Sequence, residues 1–177
     1  RDAVELAVAN AAFKLRERVL RDGEKASRRI TPADLQLQRA LGLRKVPATI
    51  ACFDVSNFQG RETVGSLVVF KDGEPLKSRY RRFRIRTVEG VDDFASLEEV
   101  LERHCRRLVE QQEAPADLVV IDGGIGQLGR ARRVFDRHGF AQAELIGLAK
   151  REETIVREDA ELRLPRSSEA LHLLQRV

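Results

Sequence analysis

The sequence predicts an α/β fold, in which a mixed sheet of three antiparallel strands and then parallel strands with crossover helices follows a short helical lead. The period of the apolar residues changes from helical to strand-like near residue 49. Three strand-like runs come next, and short apolar runs then alternate with amphipathic helical segments, which is typical of parallel strands covered on both faces. We therefore divide the chain into a helical lead and linker over residues 1–48 and one main domain over residues 49–177.

Length and composition indicate a soluble protein of one main domain. The 177 residues are 42% hydrophobic, but no apolar run is long enough to cross a membrane and the basic N-terminus does not resemble a signal peptide. We expect an intracellular protein with no membrane partner. Cys52 and Cys105 lie in apolar segments without zinc-ligand spacing, so we expect reduced core residues. The formal net charge of +4 suits a nucleic-acid partner.

Two helices are predicted ahead of the sheet. Residues 1–22 carry apolar side chains at helical spacing, and a charged linker over Glu24 to Arg29 follows. Thr31 to Asp34 then provides an N-cap, a proline in the first turn and an acid at the third helical position. A second helix should therefore run to Leu41.

The first half of the main domain predicts an antiparallel meander. Thr49 to Val55 is a buried strand, and Glu62 to Lys71, rich in valine, leucine and phenylalanine, is a second. Asp72-Gly73 is a strong hairpin signal between that run and a third strand over Leu76 to Arg86.

Helices and short strands alternate in the second half. Asp92 and Asp93 stand at the start of an amphipathic helix whose apolar stripe runs from Leu97 to Leu108. The apolar strand Leu118 to Ile121 precedes a helix that stops at Gly139. The remaining predicted elements are a buried strand over Leu145 to Leu148, an edge hairpin over Thr154 to Leu164 and a final helix from Ser167. Right-handed parallel crossovers would place the fourth strand beside the first, which is the ribonuclease H-like arrangement.

Two aspartates stand at the ends of otherwise apolar strands. Asp54 lies in the strand that ends at Val55, and Asp122 directly follows Ile121. If these strands are parallel neighbours, the carboxylates face each other at one end of the sheet. Their repulsion would be relieved by a shared Mg²⁺ or Mn²⁺, the ions that support in-line phosphoryl displacement. The alternative, that each aspartate only caps a turn, applies more to Asp122, which precedes two glycines, than to Asp54.

The acid doublet Asp92-Asp93 supplies a third candidate near this end of the sheet. Capping of the helix accounts for one of the two side chains and leaves the other for the site.

The run Gly124 to Gly129 matches the dinucleotide-binding pattern G-x-G-x-x-G. That fold expects an acid at the end of the next strand, where this chain has Lys150, and Asp122 would repel a pyrophosphate. We therefore predict no nucleotide cofactor. We expect the glycines instead to let a DNA phosphate approach the predicted metal site, with Gln127 as a candidate DNA contact.

Basic residues predict the other DNA contacts. Arg82, Arg84 and Arg86 alternate along the third predicted strand, so they share one face and could form a row of phosphate contacts. The equally good alternative is a charged edge strand that only resists aggregation. Lys150, at the end of a parallel strand near the aspartates, is the better phosphate candidate.

Five runs, in this order, resemble the UvrC family of excinucleases. They are Cys-Phe-Asp-Val-Ser-Asn-Phe-Gln-Gly (52–60), Tyr-Arg-Arg-Phe (80–83), Asp-Asp-Phe (92–94), Val-Ile-Asp-Gly-Gly-Ile-Gly-Gln-Leu (120–128) and Ala-Leu-His-Leu-Leu-Gln-Arg (170–176). The resemblance implies an endonuclease that acts with UvrB, downstream of UvrA, on damaged double-stranded DNA and incises 5′ to the lesion. It also implies that Asp54 and Asp122 are catalytic and that Asp93 is a further functional acid.

The family also has a catalytic histidine in an Arg-Asp-Glu-x-His run soon after Gln-Arg-Val, the residues with which this sequence ends. We expect that histidine, the module for the 3′ cut, the segment that recruits UvrB and a helix-hairpin-helix domain to lie outside these residues. The chain alone should then cut slowly or not at all. Two alternatives stay open, namely a ribonuclease acting on RNA in hybrids and a non-catalytic DNA-binding or UvrB-docking module.

Overall fold

The computed structural model describes residues 30–58, 62–88, 90, 92–149 and 154–176. The first predicted helix, the charged linker and Lys150 lie outside the described residues. Residues from Thr31 onward form one compact unit.

Four α-helices and eight strands make up the described part of this unit. The helices are α1 (Pro32–Leu41), α2 (Asp93–Glu110), α3 (Ile125–Arg137) and α4 (Glu169–Arg176). The strands are β1 (Thr49–Phe58), β2 (Glu62–Lys71), β3 (Glu74–Pro75), β4 (Arg81–Arg84), β5 (Leu118–Asp122), β6 (Leu145–Ala149), β7 (Thr154–Val156) and β8 (Glu161–Arg163). A short 3₁₀ helix over Lys77–Arg79 separates β3 from β4. None of the described helices is long and apolar enough to cross a membrane.

The strands form one mixed sheet in the order β3-β2-β1-β5-β6-β7-β8, and β4 also pairs with β2. β1 is antiparallel to β2 and parallel to β5, and β5 is parallel to β6. The edge hairpin of β7 and β8 is antiparallel. The predicted mixed sheet is confirmed. The fourth predicted strand corresponds to β5, and it lies beside β1 as expected.

The prediction of a third strand over Leu76 to Arg86 is wrong in one respect, because the strand is not continuous. Asp72 (φ 53°) and Gly73 (φ 80°) form the expected tight turn. The chain then pairs with β2 only briefly, turns outward through the 3₁₀ helix, where Arg79 binds Glu113, and returns as β4. β4 ends at Arg84, so Arg86 lies beyond the strand.

Each face of the sheet carries its own core because side chains alternate along a strand. One face packs against α2 and α3, and we call its residues the first core: they include Phe53, Val100, Leu101, Ile121, Leu128 and Phe135. The other face packs against α1 and α4, and its residues, the second core, include Leu37, Ile50, Val120, Ile146, Leu173 and Leu174. Burying each of these side chains stabilises the fold by roughly 1.5–3 kcal/mol.

Helix α1 begins and ends as predicted. Asp34 N donates to Thr31 Oγ1 (3.3 Å) and Thr31 N donates to Asp34 Oδ2 (2.9 Å), a reciprocal capping box. Gly42 ends the helix in the left-handed conformation (φ 60°). The helix packs within the compact unit, and the division of the chain at residue 48 stays a prediction.

Both cysteines are thiols in the described structure. Cys105 is buried in the first core, and burial raises the pKa of its thiol to about 12. Cys52 is half-buried against the second core. Both therefore have the packing roles expected of them.

Candidate functional site

The parallel register of β1 and β5 determines where the two strand aspartates lie. Phe53 is paired with Ile121, and the next residue of each strand is Asp54 and Asp122. Phe53 and Ile121 both point into the first core, so the two aspartates lie on the opposite face, that of the second core. Both are half-buried and line the same cavity of about 410 Å³.

The other walls of this cavity come from three elements. Ser66, the partner of Asp54 in the β1–β2 ladder, lies on one side, and Leu148 of β6 lies on the other. The last turn of α4 contributes Gln175 and Arg176. Sequence reasoning missed the three polar residues among these. The polar Gln-Arg pair directly after the apolar Leu173 and Leu174 was the available signal for α4, whereas Ser66 needed the strand register.

A local hydrogen bond orients the first aspartate. Ser56, two residues further along β1 and on the same face, donates its Oγ proton to Asp54 Oδ2 at 2.8 Å. This contact restricts rotation of the carboxylate beside the cavity.

The glycines after Asp122 form a tight connection to α3. Gly123 N donates to Leu148 O (3.1 Å), and a Cβ on Gly147 would lie only 2.7 Å from Gly123 O. Gly124 N donates to Gln127 Oε1 at 3.0 Å, so the Gln127 side chain caps the start of α3. Only glycine fits such close backbone approaches. The connection therefore holds the backbone after β5 close to the backbone of β6.

The two acids of the doublet have different positions at the start of α2. Asp92 is the N-cap, and its Oδ1 accepts from Ala95 N at 2.9 Å. Asp93 is the first residue of the helix and is exposed. α2 packs on the first-core face, and Asp93 does not line the cavity of Asp54 and Asp122. Among the residues that the structure describes, no three His, Cys, Asp or Glu side chains are grouped closely enough to hold a metal ion.

The basic strand β4 has the predicted alternation. Arg82 and Arg84 are exposed, and Phe83 between them is buried in the first core. Arg103 of α2 stacks on the Phe83 ring, 5.3 Å from its centroid, and donates to Arg84 O at 2.8 Å. These contacts anchor the end of β4 to α2.

Glu99 anchors the residues that follow β4. Its carboxylate accepts from Arg86 N (3.0 Å) and from Thr87 N (2.9 Å). Burial raises the pKa of Glu99, but these and neighbouring hydrogen bonds outweigh burial, so that its pKa is lowered overall. Arg86 is thus exposed beside the row begun by Arg82 and Arg84, although it is not part of the strand.

The fold and the site together define a ribonuclease H-like α/β domain with paired carboxylates where its two central parallel strands end. The family model for the UvrC RNAse H endonuclease domain matches residues 38–177. The chain therefore belongs to the UvrC ribonuclease H endonuclease domain family.

Whole-protein relatives and a solved structure are similar to the chain. UvrABC system protein C of Gemmatimonas aurantiaca is 46% identical over 180 residues, which cover 100% of this chain and 29% of that protein. UvrABC system protein C of Moorella thermoacetica is 47% identical over 175 residues, covering 95% and 28%. The chain thus spans less than a third of these relatives. Endonuclease V of Ciona intestinalis, solved with a 24mer DNA containing an inosine followed by a ribo-adenosine, has a TM-score of 0.43 and 14% identity, covering 74% of this chain and 57% of that one.

Proposed function

We propose that this domain is a divalent-metal-dependent DNA endonuclease of bacterial nucleotide excision repair. In this proposal it acts in the cytoplasm with UvrB, after UvrA, and incises damaged double-stranded DNA on the 5′ side of the lesion. Membership of the UvrC endonuclease domain family supports the class of activity. The observation that carries the proposal is the register of β1 and β5, which puts Asp54 and Asp122 side by side on one cavity.

The donor set fits Mg²⁺ or Mn²⁺. Both ions prefer oxygen ligands, and a shared cation offsets the repulsion of two neighbouring carboxylates. Asp54 and Asp122 would hold the ion, and their half-buried position leaves room for water or phosphate oxygens to complete its coordination. When bound, such an ion stabilises the negative charge that develops on a phosphate during strand cleavage.

The protein's own residues orient the acids and the DNA. Ser56 restrains the Asp54 carboxylate. An added Cβ on Gly124 would meet nothing within 4 Å, so the backbone after Asp122 leaves room there for a phosphate. Asp93 is proposed as a further catalytic acid that meets the DNA from the α2 side of the site. The proposed DNA contacts are Arg82, Arg84, Arg86, Gln127 and Lys150.

Metal binding is tested by thermal unfolding with and without Mn²⁺. At a concentration about ten times its dissociation constant, Mn²⁺ should raise the Tm of the chain by about 2–6 °C. Asp54→Asn should raise the Tm without metal, because it removes a like-charge repulsion, and should abolish the further rise with Mn²⁺. Asp159→Asn, which neutralises an exposed acid in the β7–β8 turn, is the matched control and should respond as the unmodified chain does. An unchanged Mn²⁺ response in Asp54→Asn would contradict the shared site.

The reaction itself is tested in a protein that contains this domain, incubated with UvrA, UvrB, Mg²⁺ and a duplex bearing one lesion. Asp54→Asn and Asp122→Asn should each lower the 5′ incision rate by about 100-fold or more, since a metal ion contributes several kcal/mol to such transition states. Normal incision by both variants would favour a docking module. Cleavage confined to the RNA strand of a hybrid would favour a ribonuclease.

A further inference from the structure

An exposed apolar patch lies at the start of helices α2 and α3. Phe94 is 43% exposed and Ile125 is 55% exposed, whereas the large aromatic side chains Phe53 and Phe135 of the first core are fully buried. An exposed apolar patch on a domain surface is a candidate site for contact with a partner.

The ring of Phe94 is held in place from two directions. A Cβ on Gly126 would lie only 2.9 Å from Phe94 Cε1, so the ring rests on the bare backbone of α3. The guanidinium carbon of Arg130 lies over the ring, 5.7 Å from its centroid. Arg130 is itself fixed, because its Nη1 donates to Glu98 Oε2 at 2.9 Å. The ring is therefore both exposed and pre-positioned.

This patch adjoins the candidate site along the chain. Phe94 directly follows Asp93, and Ile125 is separated from Asp122 only by Gly123 and Gly124. A DNA strand that crosses the carboxyl end of β5 would therefore meet the carboxylates on one side of the sheet and the ring on the other.

The chemistry of the patch favours a nucleobase. Bases stack on aromatic rings irrespective of sequence, and an adjacent guanidinium strengthens such stacking. A fully paired duplex keeps its base faces covered, so the occupant has to be unpaired or lifted out of the stack.

We propose that Phe94 is a stacking platform for an unpaired nucleobase of the DNA strand that reaches Asp54 and Asp122. The inference rests on the proposed function and adds a requirement for local strand opening next to the cut. Arg130 and Gly126 position the ring, and Ile125 extends its apolar surface.

The test uses the whole chain without divalent ions, so that no strand is cut, and a duplex with a short unpaired bubble that contains 2-aminopurine. Phe94→Ala should weaken binding to the bubble about tenfold, as loss of one stacked base does, and should abolish the change in 2-aminopurine fluorescence. Binding to the fully paired duplex should change little. Phe94→Trp should retain both signals, whereas Phe94→Leu, which keeps apolar volume without an aromatic face, should lose them.

Val109→Ala, which trims an exposed apolar side chain at the far end of α2, is the matched control and should bind the bubble normally. The platform is overturned if Phe94→Leu retains the fluorescence change, or if Phe94→Ala weakens paired and bubbled DNA equally. Asp54→Asn, tested for stacking in this metal-free assay and for cutting in the Mg²⁺-containing incision reaction with UvrA and UvrB, separates this inference from the proposed function. If Asp54→Asn no longer cuts but still stacks the base, the proposed function and the platform are both supported. A Phe94 series without effect removes only the platform. Full cutting by Asp54→Asn removes only the catalytic assignment.

Discussion

His104 shows how the first core alters the chemistry of one residue. Its imidazole lies edge-on to the Phe53 ring, with centroids 5.0 Å apart, and lines a cavity of about 390 Å³ at the end of α2. Burial, and then the positive charge of Arg107, lowers the pKa of His104 to about 4. The histidine is therefore neutral in the folded protein at physiological pH.

We expect His104 to make the protein sensitive to acid. Because the pKa is lowered from 6.5 to about 4 on folding, the unfolded chain binds more protons between these values. The stability that depends on neutral His104 is fully present above pH 6.5. As pH falls from 6.5 towards 4, the free energy of unfolding decreases by up to about 1.4 kcal/mol per pH unit. Urea unfolding at several pH values measures it.

Two variants isolate the histidine. His104→Leu should flatten the dependence of the unfolding free energy on pH between 4 and 6.5. His172→Gln, which changes an exposed histidine of α4, should leave that dependence as it is. An equal slope in His104→Leu and the unmodified chain would assign the acid sensitivity to other groups.

Among the elements, β4 illustrates how a strand can present arginines while being held by its neighbours. Phe83 and the contacts from Arg103 and Glu99 anchor it, and Arg82 and Arg84 are exposed on the other side. Arginines on an anchored strand lose little further backbone freedom on binding a phosphate, which favours the DNA-binding proposal.

Neutralising this strand should weaken DNA binding in a salt-dependent manner. For the double variant Arg82→Gln and Arg84→Gln, the slope of log affinity against log salt should fall by about 0.9 for each phosphate that the strand no longer binds. Sequence preference should not change. The double variant Arg39→Gln and Arg106→Gln removes the same charge from exposed positions on α1 and α2 and is the control. Equal slopes in the two double variants would leave β4 as a charged edge strand.

The packing of β2 on α2 depends on one glycine. A Cβ on Gly65 would lie 2.3 Å from Val100 Cγ2, a side chain at the centre of the first core. Gly65→Ala should therefore lower the free energy of unfolding by about 1–3 kcal/mol through overpacking. Adding Val100→Ala should make the glycine substitution much less costly.

Gly129 provides the contrasting substitution. A Cβ there would find its nearest neighbour, Arg133 Nη1, at 3.9 Å, and the residue lies inside α3. Gly129→Ala should raise the free energy of unfolding by about 0.5–1 kcal/mol, since alanine favours the helix. Urea unfolding compares the two variants. Failure of Val100→Ala to relieve the cost of Gly65→Ala would contradict crowding at Val100, and destabilisation by Gly129→Ala would contradict the gain in helix propensity.

At the scale of the whole unit, both cores depend on the same central strands. β1, β5 and β6 contribute side chains to each core, so loss of packing on one face should weaken the other. Leu37→Ala in the second core and Leu101→Ala in the first should each lower the free energy of unfolding by about 2–5 kcal/mol. The residues from Thr31 onward should still unfold in one transition, seen at the same urea concentration by circular dichroism and by hydrogen exchange of α1 and α3 amides. Separate melting of α1 in Leu37→Ala would contradict this coupling.

The sequence by itself determined the features that depend on neighbouring residues along the chain. Helical spacing and the Thr31 capping box located α1, and the alternation along β4 placed Phe83 inside with Arg82 outside. Apolar runs interrupted by Asp54 and Asp122 indicated two strand-borne carboxylates, because a charged residue in a buried strand stands out without any knowledge of its partners. The mixed sheet followed from the order of the elements.

Only the tertiary structure decided what those residues meet, because such contacts depend on register and on how helices pack across the sheet. The outward turn at Arg79 broke the third strand and left Arg86 beyond it. The position of α4 brought Gln175 and Arg176 to the aspartate cavity, while α2 packed on the other face and left Asp93 outside it. The packing of α2 beside α3 also decided that Phe94 is exposed, with its ring against the bare backbone at Gly126.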